Sequence, residues 1–134
     1  MTAVRFWFSR AALVYAAAIF GLIAGIWFVN PQIGLERFGL SVNGTPETLA
    51  FPRTTAGALF IAMTVNALYG LARPRDFRTA LIAVLVMDGS VLAARLFGIV
   101  HDGVSERQLL ELRNEAGSFL LFAAALWSDP RRPA

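Results

Sequence analysis

Arg53, Asp88, Arg95, Glu111 and Glu115 are charged residues set within, or at the mouths of, long apolar runs. At bilayer depth each such charge costs several kcal/mol unless it is neutralised, paired or hydrated. Glu111 and Glu115 are one helical turn apart, with Ser118 on the same stripe, and two carboxylates so placed can act as acid and base. The guanidiniums of Arg53 and Arg95 can hold carboxylates in charge-assisted pairs or bind an anionic headgroup. Asp88 and Arg95 are seven apart, which puts them on one helix face about 10 Å apart along the axis. Each Cα–Cβ bond leans toward the helix N-terminus, so Arg95 reaches toward Asp88. Only a fully stretched Arg closes that gap, and a bridging polar group or water is the expected link. At the midplane, with Arg95 drawn to the two Glu, Asp88 is expected to be protonated. Its expected acceptor is Thr64, Asn66 or a backbone carbonyl.

Other chemistries find little support. The chain has no cysteine, which removes disulfides, thiolate nucleophiles and cysteine–metal sites. His101 and Asp102 are too few for zinc, which takes three or four protein ligands. No nucleophile or cofactor motif accompanies Glu111 and Glu115, so no catalytic residue, cofactor or metal ligand is assigned, and an enzyme is the weakest of the functional readings.

These charges must be positioned by helices. Thr79 to Val100, the run that carries Asp88 and Arg95, spans about 33 Å as a helix, enough for a hydrocarbon core of about 30 Å. Hydrophobic residues make up 57% of the 134 residues and charged residues only 16%, which departs from soluble proteins toward an integral membrane protein. The sequence predicts one all-α domain, residues 1–134, folded as a four-helix membrane bundle with spans at about 11–29, 54–72, 79–100 and 109–127. The first run exits through bulky Trp27, Phe28 and Val29, so it is read as a retained helix rather than a cleaved signal. Its Gly21-x-x-x-Gly25 pair permits close helix approach. Asn30-Pro31 ends it. Residues 33–40 suggest a short interfacial helix and Asn43-Gly44 a turn. Arg73-Pro74-Arg75-Asp76-Phe77-Arg78 is a tight basic turn. Ser105 and Gln108 have the spacing of a capping box opening the fourth helix.

All twelve basic residues are Arg, and the net charge is +3. Because they flank apolar spans, they are read as topology signals rather than as a nucleic-acid surface. Arg5, Arg10, Arg73, Arg75, Arg78, Arg131 and Arg132 fall on one side, against Arg37, Arg53, Arg107 and Arg113 on the other. Four crossings with both termini cytoplasmic follow. Arg53, Arg95, Glu111 and Glu115 then come to one depth on the outer side, where they are expected to meet as a clamp between helices two, three and four.

With these residues placed, the chain resembles a family of small four-helix bacterial membrane proteins, domain of unknown function 4345. The similarity runs mainly from Pro31 onward. It rests on Arg53-Thr54-Thr55-Ala56-Gly57, on Gly89 and Arg95, on Asp102-Gly103, and on Glu111 or Glu115. Asp88 has no clear place in that pattern. The resemblance implies a fold and nothing catalytic. The expected location is the bacterial inner membrane, with multiple crossings. The expected function is that of a scaffold or accessory subunit packed in the lipid bilayer against a larger membrane complex. The alternative is a small-solute, proton or lipid binder or transporter using the outer cluster with Asp88.

Overall fold

The computed structural model describes residues 2–37, 39–40 and 44–129. It is all-α. Helix α1 is Thr2–Val29, α2 Pro31–Arg37, α3 Pro46–Pro52, α4 Ala58–Ala72, α5 Phe77–Asp102 and α6 Glu106–Ser128, with a π-helical turn, Arg53–Gly57, joining α3 to α4. Four long rods result, counting α3, the π turn and α4 as one. They pack in a cycle: α1 against α4 and α6, and α5 against α4 and α6.

Each rod outruns its sequence prediction. The expected boundaries followed the apolar runs, whereas the helices continue into flanking polar and charged residues; Arg, a good helix former, extends α1 at its start. Thus α1 takes in Arg5 and Arg10, and α5 continues to Asp102. The expected interfacial helix is α2, and its Gly34 lies under Trp27, where an added Cβ would approach the indole to 2.8 Å. The capping box closes as predicted: Ser105 Oγ accepts from the Gln108 N–H at 3.2 Å, and Gln108 Oε1 accepts from the Ser105 N–H at 3.0 Å. Asn43, Arg131 and Arg132 lie outside the described residues.

The π turn follows from Pro52. Proline has no N–H to continue the helical ladder, and the turn after it widens so that the Ala58 N–H reaches the Arg53 carbonyl. Carbonyls around the break are taken by hydroxyls: Thr54 Oγ1 donates to Ala50 O at 3.0 Å, and Thr55 Oγ1 donates to Phe51 O at 2.7 Å.

Leu13, Ala16 and Phe20 from α1 meet Met63 and Ala67 from α4, Phe77, Leu81 and Val84 from α5, and Phe122 and Ala125 from α6. In α5 and α6 the buried positions stop at Asp88 and Phe122, and no residue of 89–121 is buried. Gly70 sits where α1, α4 and α5 converge; a Cβ there would collide with Ala80 and stand 3.1 Å from Leu13 Cδ2. Outside the core, Leu22, Val65, Val86, Phe97 and Leu120 point outward. A surface this apolar suits lipid rather than water. Helices α1, α5 and the α3–α4 rod are each long and apolar enough to cross a membrane. Helix α6 is long enough, but its first half carries Glu106, Arg107, Glu111, Arg113 and Glu115.

Three arginines do more than mark a side. Arg10 Nη2 donates to Leu71 O at 3.4 Å, Arg53 Nε to Phe28 O at 3.1 Å, and Arg78 Nη1 to Leu126 O at 3.4 Å. Each acceptor lies in the last turn of a neighbouring helix, α4, α1 and α6 respectively. There four carbonyls lack intrahelical partners and the helix dipole is negative, so a guanidinium from the side satisfies both.

Candidate functional site

The polar site lies between α5 and α6. These helices form an antiparallel hairpin whose turn is closed by Gly103, at φ +101°, and by the Ser105 cap. Arg95 projects from α5 and grips Glu115 of α6 side-on, with Nε donating to Oε2 and Nη2 to Oε1. The Arg95 and Glu115 side chains are only 19% and 15% exposed, so this fork–fork pair is largely shielded from solvent and correspondingly strong.

One turn deeper, Ser118 Oγ lies 3.1 and 2.9 Å from the two carboxyl oxygens of Asp88. It is also 3.0 Å from the Glu115 carbonyl. Asp88 is 5% exposed. A hydroxyl has one proton to give, and here it faces three acceptor oxygens. Beside it, Phe119 rests on Gly89: a Cβ at that position would come within 2.9 Å of the ring. The glycine therefore lets α6 close over α5 at the level of Asp88.

The hairpin thus brings Asp88, Arg95 and Glu115 into one column, with Ser118 between Asp88 and the pair. It does not bring in the other two candidates. Arg53 was expected in the cluster, but it faces α1 and caps that helix through Phe28 O. It heads the rod that packs against α1, so it turns away from α6. Glu111 stands one turn before Glu115 and meets Arg37 of α2, with Nη2 to Oε1 at 3.7 Å. Asp88 bonds to α6, not to α4 as expected. Thr64 Oγ1 donates within its own helix to Phe60 O at 2.8 Å, and Asn66 Nδ2 donates to Ala80 O at 3.0 Å. Sequence reasoning placed Ser118 on the Glu111–Glu115 stripe without making it the partner of Asp88. The signal was present, because pairing Arg95 with Glu115 in an antiparallel hairpin sets residues C-terminal to Glu115 opposite residues N-terminal to Arg95.

Above the pair, at the hairpin end, opens a cleft of about 520 Å³ lined by Arg95, Asp102, Gly103, Ser105, Arg107 and Gln108. His101 Nδ1 and Asp102 Oδ1 are 2.8 Å apart at its edge. Among the described residues, no group of three His, Asp or Glu side chains is placed to share a metal ion. No family model matches the chain, and neither a curated protein nor a solved structure shows significant similarity to it.

Proposed function

We propose that the chain is a non-enzymatic, multi-pass protein of the bacterial inner membrane, a scaffold or accessory subunit held against a larger membrane complex. In this reading it crosses four times with both termini cytoplasmic, and it belongs with the domain of unknown function 4345 family on the residues quoted above. The observation that carries the reading is the Arg95–Glu115 pair. Each group answers the other's charge in a bidentate contact, leaving neither as a free acid, base or counter-ion. Their work is to close α5 on α6. The outward-facing apolar side chains and the three span-length helices support insertion. The fourth crossing is supported by the way α6 directs Glu115 and Ser118 inward onto α5, while Arg113 and Asn114 stay exposed on its other face and Arg113 snorkels to the interface.

The test is purification from native membranes in mild detergent. A scaffold should co-migrate with a defined membrane partner through two separation steps, and a chain that always runs alone would sink the reading. A second reading, small-anion binding, is favoured by one observation: the cleft at the hairpin end bordered by Arg95 and Arg107. It predicts that inorganic phosphate raises the melting temperature of the wild-type chain and not that of Arg107→Gln.

A further inference from the structure

Arg53 is left with donors to spare. A guanidinium carries five N–H donors, and Arg53 uses only Nε, on the Phe28 carbonyl. It forms no ion pair among the described residues, unlike Arg37, Arg78 and Arg95. Phe28 is also the upper wall of an apolar groove of about 300 Å³ that runs along the α1–α4 seam, lined by Gly21, Ala24, Gly25, Phe28, Ile61 and Val65. Thr64 borders it but turns its hydroxyl to Phe60 O, leaving its methyl toward Gly21. Gly25 floors the groove and opens onto it: a Cβ there would meet nothing within 4 Å. From Gly21 to Phe28 it follows the helix for about 10 Å.

We infer that this seam is a binding site for one anionic phospholipid, with its phosphate on the Nη groups of Arg53 and an acyl chain in the glycine-floored groove. The inference rests on the reading that α1 and α4 cross a bilayer, and it goes beyond the scaffold role. The occupant follows from chemistry. An unpaired cation at the mouth of the groove selects an anionic headgroup, because bidentate guanidinium–phosphate contacts are strong and directional. A groove with almost no polar wall selects hydrocarbon. A free phosphate would satisfy the first feature and leave the second empty.

Native mass spectrometry of the full chain, released from mild detergent, tests this with two variants. The wild type should retain one phosphatidylglycerol in preference to phosphatidylcholine after exchange in mixed vesicles. Arg53→Gln should lower that preference about tenfold, the loss expected from one charge-assisted contact. Gly25→Leu, whose Cβ meets nothing within 4 Å, places its side chain in the groove and should abolish retention of either lipid while the lipid-free melting temperature holds. Because Arg53 also caps α1, its variant could fail to fold, and Gly25→Leu then decides alone. Equal retention of both lipids by the wild type, or full retention by Gly25→Leu, overturns the site. A chain recovered from the soluble fraction after alkaline washing overturns the membrane reading and the site with it; a membrane-retained chain with indifferent lipid binding overturns the site only.

Discussion

Arg95→Leu would leave Glu115 facing an apolar helix with both of its donors gone. Removing one partner of a shielded ion pair costs about 3 kcal/mol, and the residual exposure of both side chains moderates the figure here. Denaturant unfolding in detergent should show that loss, and Arg95→Leu combined with Glu115→Leu should be milder than Arg95→Leu alone. Ser118 poses a proton-count problem. Its single hydroxyl proton serves the Glu115 carbonyl or the Asp88 carboxyl, and both contacts are made at once if Asp88 carries its own proton and donates it to Ser118 Oγ. Asp88→Asn keeps a donor and should leave stability within about 0.5 kcal/mol of wild type, as for a substitution that breaks no contact. Ser118→Ala strands the buried carboxyl and should cost about 1–3 kcal/mol. An infrared carboxylate band from Asp88 at neutral pH would refute the proton count. The Arg95–Glu115 contact was legible from sequence because a mid-span Arg must find a carboxylate and α6 offered two. The Asp88–Ser118 contact was not legible from periodicity alone, which gives the face of each residue on its own helix; the axial offset that predicts it follows only once Arg95 is paired with Glu115 rather than Glu111.

At the scale of elements, the structure turns on close approaches and one irregular turn. Gly70→Ala should force α4 from α5 at Ala80 and from α1 at Leu13, an overpacking that costs about 1–3 kcal/mol and should appear as a lower melting temperature. The π turn makes a different prediction. Deleting Thr55 lets the wide turn close as ordinary helix and leaves α4 on its present face. Deleting Ala62 rotates one part of the helix by about 100° relative to the other, so Met63 and Ala67 can no longer share the core with α3 and Gly57 in their present places. The first deletion should express and melt near wild type and the second should not. Neither the π turn nor the arginine caps on neighbouring carbonyls could be read from sequence. Pro52 announces a break without saying how the ladder is repaired, and an Arg beside an apolar run signals sidedness whatever its side chain bonds.

For the molecule as a whole, the number of crossings decides where the termini lie. Three apolar rods place the termini on opposite sides of a membrane, and four place them together. Reporter fusions at residue 75 and after residue 129 should both read cytoplasmic, and a fusion at residue 44 external; an external C-terminal signal would show that α6 does not cross. The all-α architecture was plain in the sequence because the apolar runs are long and punctuated by Pro and Gly. The cyclic order of the rods was not, since four helices of similar hydropathy can close in more than one way. The uneven placement of the core also bears on how the molecule comes apart. From residue 89 to residue 121 the α5–α6 hairpin contributes no buried residue. It is a loosely packed arm, held by Arg95–Glu115, by Phe119 on Gly89 and, across to α2, by Arg37–Glu111. Such an arm can swing open as a unit while Leu13, Ala67, Leu81 and Phe122 stay packed, so its backbone amides should take up deuterium together, ahead of the rest.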